Sequence, residues 1–243
     1  MEIKGKKALI TGATGKLGSK IAAALAGRGA ECTCHYNSSH ESARRLVGQI
    51  TDAGGKARAL CCDFADSEAI LQLLEPVPQI LINSASLFLP DSGLDTNGAA
   101  MMMRVNAQIP QQLSLEFAKA VNSSYSGENP LGKIVNLTDI AVHLNWPSYR
   151  IYSDTKRILL RDTVENAAAF APAVTVNAVS PGLIDIPDNA GPAALSELTG
   201  KIPMLRPGRH EEIVSAVIFL LENDYITGRE LIIDGGRTSL KED

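Results

Sequence analysis

Tyr152 and Lys156 are the residues of this chain best spaced for proton chemistry, in the run Tyr-Ser-Asp-Thr-Lys. A four-residue step on a helix puts a phenol and an ammonium on one face, one turn apart. A free phenol titrates near pH 10, too high to serve at neutral pH. A nearby ammonium favours the phenolate and lowers that value, which predicts a general acid that protonates a substrate as hydride arrives. Tyr149 has no such partner, because Ser153 stands one turn beyond it. The same pair also fits an ordinary helix with a surface lysine, so its meaning depends on the rest of the chain.

The turn Thr11-Gly12-Ala13-Thr14-Gly15-Lys16-Leu17-Gly18 supplies the first context. An apolar run, Lys7 to Ile10, precedes it. A helical pattern from Leu17 to Arg28 follows, then a second strand pattern from Ala30 to Tyr36, so the chain opens as a βαβ unit. Glycines at such a turn let the backbone bend tightly and let a phosphate approach. The helix N-terminus adds free N–H groups and a positive dipole end. The glycine spacing is not the usual G-x-G-x-x-G, and a turn that only packs helix on sheet reads the same way. Gly12, Gly15, Lys16 and Leu17 are the expected cofactor contacts here. An acid at the end of the second strand would hold a ribose 2′-hydroxyl and repel a 2′-phosphate. This chain has His35-Tyr36-Asn37-Ser38-Ser39 there, with no acid before Glu41. Asn37, Ser38 and Ser39, with Lys16 in reach, predict NADP(H).

The remaining elements alternate in the same way. Helical patterns at Glu41–Ala53 and after Asp66-Ser67 flank a strand at Ala57–Cys62, and further strands read at Gln79–Asn83, Lys133–Leu137, Val174–Val179 and Glu230–Ile233. A long helical stretch runs from about Gly98 to Val121, and Pro110 should kink it close to Asn106. Tyr149 to about Ala169 and Glu211 to Leu221 are the last helices. Residues 183–208 are rich in Pro and Gly without a clear period, which reads as a substrate loop or lid. Continuous apolar strands alternating with helices predict an α/β fold. We expect one doubly wound Rossmann-type domain over residues 1–243, a parallel sheet of about seven strands with helices on both faces. Right-handed crossovers put the strand C-terminal ends on one edge, so Thr11, Asn83, Thr138-Asp139 and Pro181-Gly182 should gather at the site.

Composition narrows the partners. The 243 residues are 45% hydrophobic with a net charge of −4. No block of like charges suggests a nucleic acid or an anionic membrane, and no apolar run reaches the length of a membrane span. The N-terminus has no signal-peptide core. Cys32, Cys34, Cys61 and Cys62 lack His at zinc-ligand spacing and read as reduced thiols of a cytoplasmic protein without a metal.

Together these residues resemble the short-chain dehydrogenase/reductase family over essentially the whole length. The matching motifs are the glycine turn, Asp63, Asn83-Ser84-Ala85, Asn106, Tyr152 with Lys156, Pro181-Gly182 and Asp234-Gly235-Gly236. The resemblance implies that Asp63 with Phe64 contacts the adenine and that Asn83, Ser84 and Ala85 line the cofactor. It also implies that Asn106 holds a water in a proton relay and that Lys156 bonds the nicotinamide ribose. Homotetramers are the family habit.

Two departures stand out. Lys16 replaces a usual Gly, and thirteen residues before Tyr152 stands Asp139 where the family usually has Ser. A Ser hydroxyl donates to a substrate carbonyl, whereas an ionised Asp only accepts and repels an oxyanion. A C=N substrate that needs a proton on nitrogen suits a carboxylic acid better, especially one whose pKa is raised by burial. Within the family this Asp is similar to the pteridine reductases, including dihydromonapterin and dihydrofolate reductases of this fold. That branch implies Phe88 stacked on a pterin and Ser86 beside cofactor and pterin, although Phe88 also reads as a core or lid aromatic. The sequence therefore points to an NADPH-dependent reductase of a pterin-like C=N substrate, with Asp139, Tyr152, Lys156 and Asn106 as its catalytic set. The alternatives are a ketone or β-ketoacyl reductase, with Thr138 doing the usual Ser's work, and a non-catalytic NADP(H)-binding sensor.

Overall fold

The computed structural model describes residues 1–239 apart from 67, 68, 128, 185 and 187–190. Its seven strands are β1 (Lys7–Ile10), β2 (Glu31–Tyr36), β3 (Lys56–Cys61), β4 (Ile80–Asn83), β5 (Gly132–Leu137), β6 (Val174–Pro181) and β7 (Glu230–Ile233). They form one sheet in the order β3-β2-β1-β4-β5-β6-β7, and every pairing is parallel.

Strand alternation divides the core into two layers. Ile10, Ile82, Val135 and Val179 face one side, where α1 (Lys16–Gly27), α2 (His40–Asp52) and α8 (His210–Glu222) bring Ile21, Leu25, Leu46, Val217 and Leu221. Leu9, Leu81, Ile134 and Val176 face the other, against α3 (Ala69–Gln72), α5 (Ile109–Asn122) and α6 (Arg150–Phe170), which bring Ile70, Leu113, Phe117 and Phe170. Both faces are covered, as continuous apolar strands require.

The sheet order reverses between β1 and β4, so a crevice opens beyond their C-terminal ends. The helical stretch before β5 divides where Pro110 demands. α4 (Thr96–Met103) gives way to a π-helical turn at Arg104–Gln108 before α5 begins. Pro110 has no N–H for the Asn106 carbonyl, and the wider turn accommodates that loss.

One expectation of the fold needs correction. Residues 183–208 are not all loop, because α7 (Pro192–Gly200) lies within them. Leu195 and Leu198 remain 36% and 37% exposed, so α7 buries too little apolar surface to leave a periodic signature. Asp66 does cap the helix before β4, its Oδ1 accepting from Ala69 N at 3.1 Å, while its expected companion Ser67 lies outside the described residues.

Candidate active site

The glycine turn is shaped by its neighbours on β4 and β2. Gly12 has φ 62°, and a Cβ there would lie 2.7 Å from Ala85 Cα, so only glycine fits. The Thr11 hydroxyl accepts from Ser84 N at 3.0 Å and Ala85 N at 3.1 Å, holding the β4 turn against the β1 turn. His35 fixes the other side. Its Nδ1 accepts from Gly12 N at 3.1 Å, its Nε2 donates to Cys62 O at 3.0 Å, and its ring stacks on Phe64 at 4.4 Å. Burial lowers the His35 pKa, against the pull of the Cys62 carbonyl, so the ring is held neutral in the tautomer this pairing needs. The sequence reading did not assign His35 this work. Its signal was a polar residue on a buried strand position beside the glycine turn.

A cleft of about 880 Å³ lies over these turns. Its walls include Gly12, Gly15, Lys16 and Leu17 from the glycine turn, Asn37, Ser38 and Ser39 after β2, and Asp63 and Phe64 after β3. Ser84, Ala85 and Ser86 follow β4, and Tyr152, Lys156 and Pro181 close the far end. The acids among the described lining residues are Asp63 and Asp139, so none stands at the end of β2. Asp63 Oδ1 accepts from Ala65 N at 2.9 Å, which sets its side chain at the rim.

Three expected residues stand elsewhere. Asn83 faces away from the cleft, because it shares the strand face of Leu81 and lies in register with Asn136. Its Nδ2 donates to Asn136 Oδ1 at 2.8 Å, and Asn136 donates to Thr163 Oγ1 at 2.9 Å, a buried chain between sheet and α6. The Asn106 side chain is also taken. Oδ1 accepts from Leu87 N at 2.7 Å, while Nδ2 donates to Leu87 O at 2.8 Å and Thr155 Oγ1 at 3.1 Å. It clamps the Ser86–Phe88 loop through both Leu87 backbone groups. Gly182 donates to Ile233 O at 2.9 Å and lines the neighbouring cavity, not the cleft.

At the far end the Tyr152 hydroxyl donates to Asp139 Oδ2 at 2.8 Å, while Asp139 Oδ1 accepts from Ala141 N at 2.8 Å. Asp139 thus both caps a 3₁₀ turn (Ile140–Val142) and faces the phenol. Burial pushes the Asp139 carboxyl above its ordinary value, against the Ala141 N–H, the Tyr152 hydroxyl and the Lys156 charge. Tyr152 departs from expectation. Burial first, then the charge and hydrogen bond of Asp139, hold its phenol well above the ordinary range, with only Ser86 acting the other way. Lys156 does not acidify it. Its Nζ donates to Leu137 O at 2.9 Å and lies 5.8 Å from the Tyr152 ring centroid, and burial brings the ammonium down to about 8. Tyr152 is therefore a neutral phenol whose hydroxyl donates to the Asp139 carboxyl group.

Thr138 does not stand in for a serine. Its Oγ1 donates to Val179 O at 3.0 Å and pairs with Ser180 Oγ at 2.6 Å, on the β6 side, away from Tyr152. A second cavity of about 690 Å³ opens under Phe88, sharing Leu17, Phe88, Asp139, Tyr152 and Pro181 with the cleft. The Phe88 ring stacks on Tyr149 at 4.5 Å and meets Tyr152 edge-on at 4.7 Å, so one of its faces is already taken. Among the described residues no helix is long and apolar enough to cross a membrane, and no cluster could hold a metal ion.

A nucleotide-sized cleft at a topological switch point, with a Tyr and a Lys one helical turn apart at its end, matches one known pattern of proteins. Residues 12–238 match the family model described as enoyl-(acyl carrier protein) reductase. The chain belongs to the short-chain dehydrogenase/reductase family. Its relatives span several chemistries. One is 3beta-hydroxysteroid dehydrogenase 1 of Eggerthella lenta, 29% identical over 98% of this chain and 95% of the relative. Another is a 3-oxoacyl-[acyl-carrier-protein] reductase of Synechocystis, 30% identical over 94% of this chain and 95% of the relative. Among solved structures, FolM alternative dihydrofolate reductase 1 from Brucella suis, in complex with NADP, superposes with a TM-score of 0.88. It is 27% identical and covers 100% of this chain and 98% of its own. This oxidoreductase therefore resembles both carbonyl reductases and a pterin-type reductase, and its own site must separate them.

Proposed function

We propose that this enzyme is an NADPH-dependent reductase of a pterin or a related C=N substrate. The observation that carries the reading is the buried Asp139 carboxyl, raised in pKa and bonded to the Tyr152 hydroxyl at 2.8 Å. The likeness to a dihydrofolate reductase of this fold supports it.

The residues fit the cofactor. The Gly12 turn has no room for a side chain, and the start of α1 carries no acid in its first turn, as a pyrophosphate at a helix N-terminus requires. Gly15, Lys16 and Leu17 would hold the phosphates. Asn37, Ser38 and Ser39 would hold the 2′-phosphate, Asp63 and Phe64 the adenine side, and Lys156 the nicotinamide ribose. When bound, NADPH supplies the hydride.

The chain's own residues manage the proton. Hydride addition to the carbon of C=N leaves an electron pair on nitrogen, which must be protonated. Asp139, when protonated, donates its carboxyl proton to that nitrogen and becomes the carboxylate that Tyr152 already faces. Asp139 regains its proton from solvent; where Tyr152 donates to the nitrogen instead, its phenolate forms near the Lys156 ammonium, which compensates the charge. Asn106 holds the Ser86–Phe88 loop through Leu87 and would hold the relay water. Ser86 beside Tyr152, the free face of Phe88, and the 183–208 segment with α7 complete the substrate pocket. Its residues 185 and 187–190 are outside the described set.

A ketone or β-ketoacyl reductase is the second reading, favoured by the names of the Synechocystis and Eggerthella relatives. It lacks a hydroxyl in the serine's place, because Thr138 bonds toward β6. A pure NADP(H) sensor would have no use for the Tyr152–Asp139 pair. Four free thiols fit a reducing cytoplasm, and exposed Leu115 on α5 and Val164 on α6 fit contacts in a homotetramer.

NADPH oxidation followed with dihydrobiopterin, dihydrofolate, quinonoid dihydropterin and a simple diketone tests the reading. Faster turnover of the pterins supports it. Turnover of the diketone alone would move the enzyme to the carbonyl branch, and no turnover at all would favour the sensor.

A further inference from the structure

The cavity under Phe88 has a chemical end and a basic end. Phe88, Asp139 and Tyr152 are shared with the cofactor cleft, whereas Lys201, His210 and Arg237 line only the outer cavity. Asp139 is the only acid among the described residues that line it. We propose that Lys201 and Arg237, with His210 beside them, bind a multiply anionic tail on the substrate. Two such tails share the required chemistry, a glutamyl dicarboxylate and a phosphate ester. This rests on the pterin reading for the head group but concerns a different part of the cavity.

The sequence builds this rim on purpose-fit backbone. After β7 the chain turns through Gly235, with φ 65°, where a Cβ would lie 2.7 Å from Ile202 Cγ2. Met204 N donates to Gly235 O at 3.1 Å. The turn therefore lies flat against the Ile202–Met204 segment, and Arg237 emerges next to Lys201, its Nη1 donating to Lys201 O at 3.4 Å. The Asp234 oxygens turn to their own loop, accepting from Gly236 N at 2.8 Å, Thr238 N at 2.7 Å and Thr238 Oγ1 at 2.8 Å. Lys201 meets Glu197 only at 3.9 Å, with both side chains mostly in solvent, a pairing that a ligand anion displaces at small cost.

Such a rim separates pterins by their side chains. A guanidinium grips a carboxylate or phosphate through two parallel N–H groups, and an ammonium adds a point charge. A pterin with a neutral side chain gains nothing from either. The cavity's volume of about 690 Å³ is within the range of small-molecule sites and leaves room beyond a bicyclic ring.

The test compares KM, at saturating NADPH, for dihydrofolate, dihydroneopterin phosphate and dihydrobiopterin. The proteins are the native enzyme, Lys201→Gln, Arg237→Gln, the double variant and Arg237→Lys. The native enzyme should favour a tail-bearing substrate over dihydrobiopterin by about tenfold or more, and high salt should shrink that ratio. The double variant should cut the ratio by about tenfold, with Arg237→Lys falling between. Whichever anionic substrate loses more identifies the tail as carboxylate or phosphate. An unchanged ratio in the double variant overturns the rim, even if all three pterins are reduced. If no pterin is reduced, the proposed reaction fails, and binding of p-aminobenzoylglutamate decides the rim separately. Binding that weakens about tenfold in the double variant supports it, and equal or absent binding in both proteins overturns it.

Discussion

The Tyr152 hydroxyl donates to Asp139 Oδ2 across 2.8 Å, and both groups are held above their ordinary pKa values by burial. That pairing reverses the usual logic of a tyrosine beside a lysine. Lys156 donates to the Leu137 carbonyl, and burial and Asp139 outweigh its effect on Tyr152. The proposed preference for C=N over C=O rests on the buried Asp139 carboxyl beside this phenol.

Removing the phenol isolates its contribution. Tyr152→Phe should lower kcat by about 10²–10⁴-fold while NADPH affinity, read by fluorescence titration, stays close to native. Lys156→Ala should lower kcat and weaken NADPH as well. Full turnover by Tyr152→Phe would assign the whole proton transfer to Asp139.

The acid-free end of β2 predicts the cofactor choice. NADPH should bind more tightly than NADH by roughly 1–3 kcal/mol, the scale of a few charge-assisted hydrogen bonds from Ser38, Ser39 and Lys16. Ser38→Asp should reverse the order, since a carboxylate there repels the 2′-phosphate and accepts from a 2′-hydroxyl. Equal dissociation constants in the native enzyme would contradict this.

His35 gives a stability prediction with a definite sign. Its folded pKa is lowered, so its contribution is complete above the unfolded value of about 6.5 and is lost as pH falls through the folded value. His35→Leu should cost about 1–3 kcal/mol at pH 7.5, because Gly12 N–H and Cys62 C=O lose their partners. The gap between native and variant, measured by denaturant unfolding, should narrow as the pH is lowered from 7 to 5. It should also appear as a weaker NADPH titration, since the glycine turn loses its anchor.

The parallel seven-stranded sheet and the glycine turn were legible because apolar runs and turn glycines write them locally. The kink at Pro110 was legible for the same reason. Side-chain direction at the strand ends was harder. Asn83 reads as a cofactor ligand by position, yet strand alternation from Leu81 sends it into the α5–α6 layer. Thr138 and Asp139 are neighbours, and the fold turns one toward β6 and the other toward Tyr152. Asn106 lies at the expected kink but serves the Leu87 backbone, a partner nineteen residues away that no spacing rule supplies. The effect of Lys156 on Tyr152 failed as an expectation because it treated the pair alone, whereas burial and Asp139 dominate.

The central claim is that Asp139 sets the substrate class, and the Asp139→Ser variant tests it most directly. Its single-turnover rates with dihydrobiopterin and with a diketone, at saturating NADPH, should diverge. The pterin rate should fall by about 10²-fold or more, while the diketone rate holds or rises as a hydroxyl donor enters the site. The native pterin rate should also rise in mildly acidic solution and fall as the raised Asp139 pKa is crossed, a limb that the variant lacks. If the two rates fall together, or neither moves, Asp139 is a loop cap and not the acid that chooses the substrate.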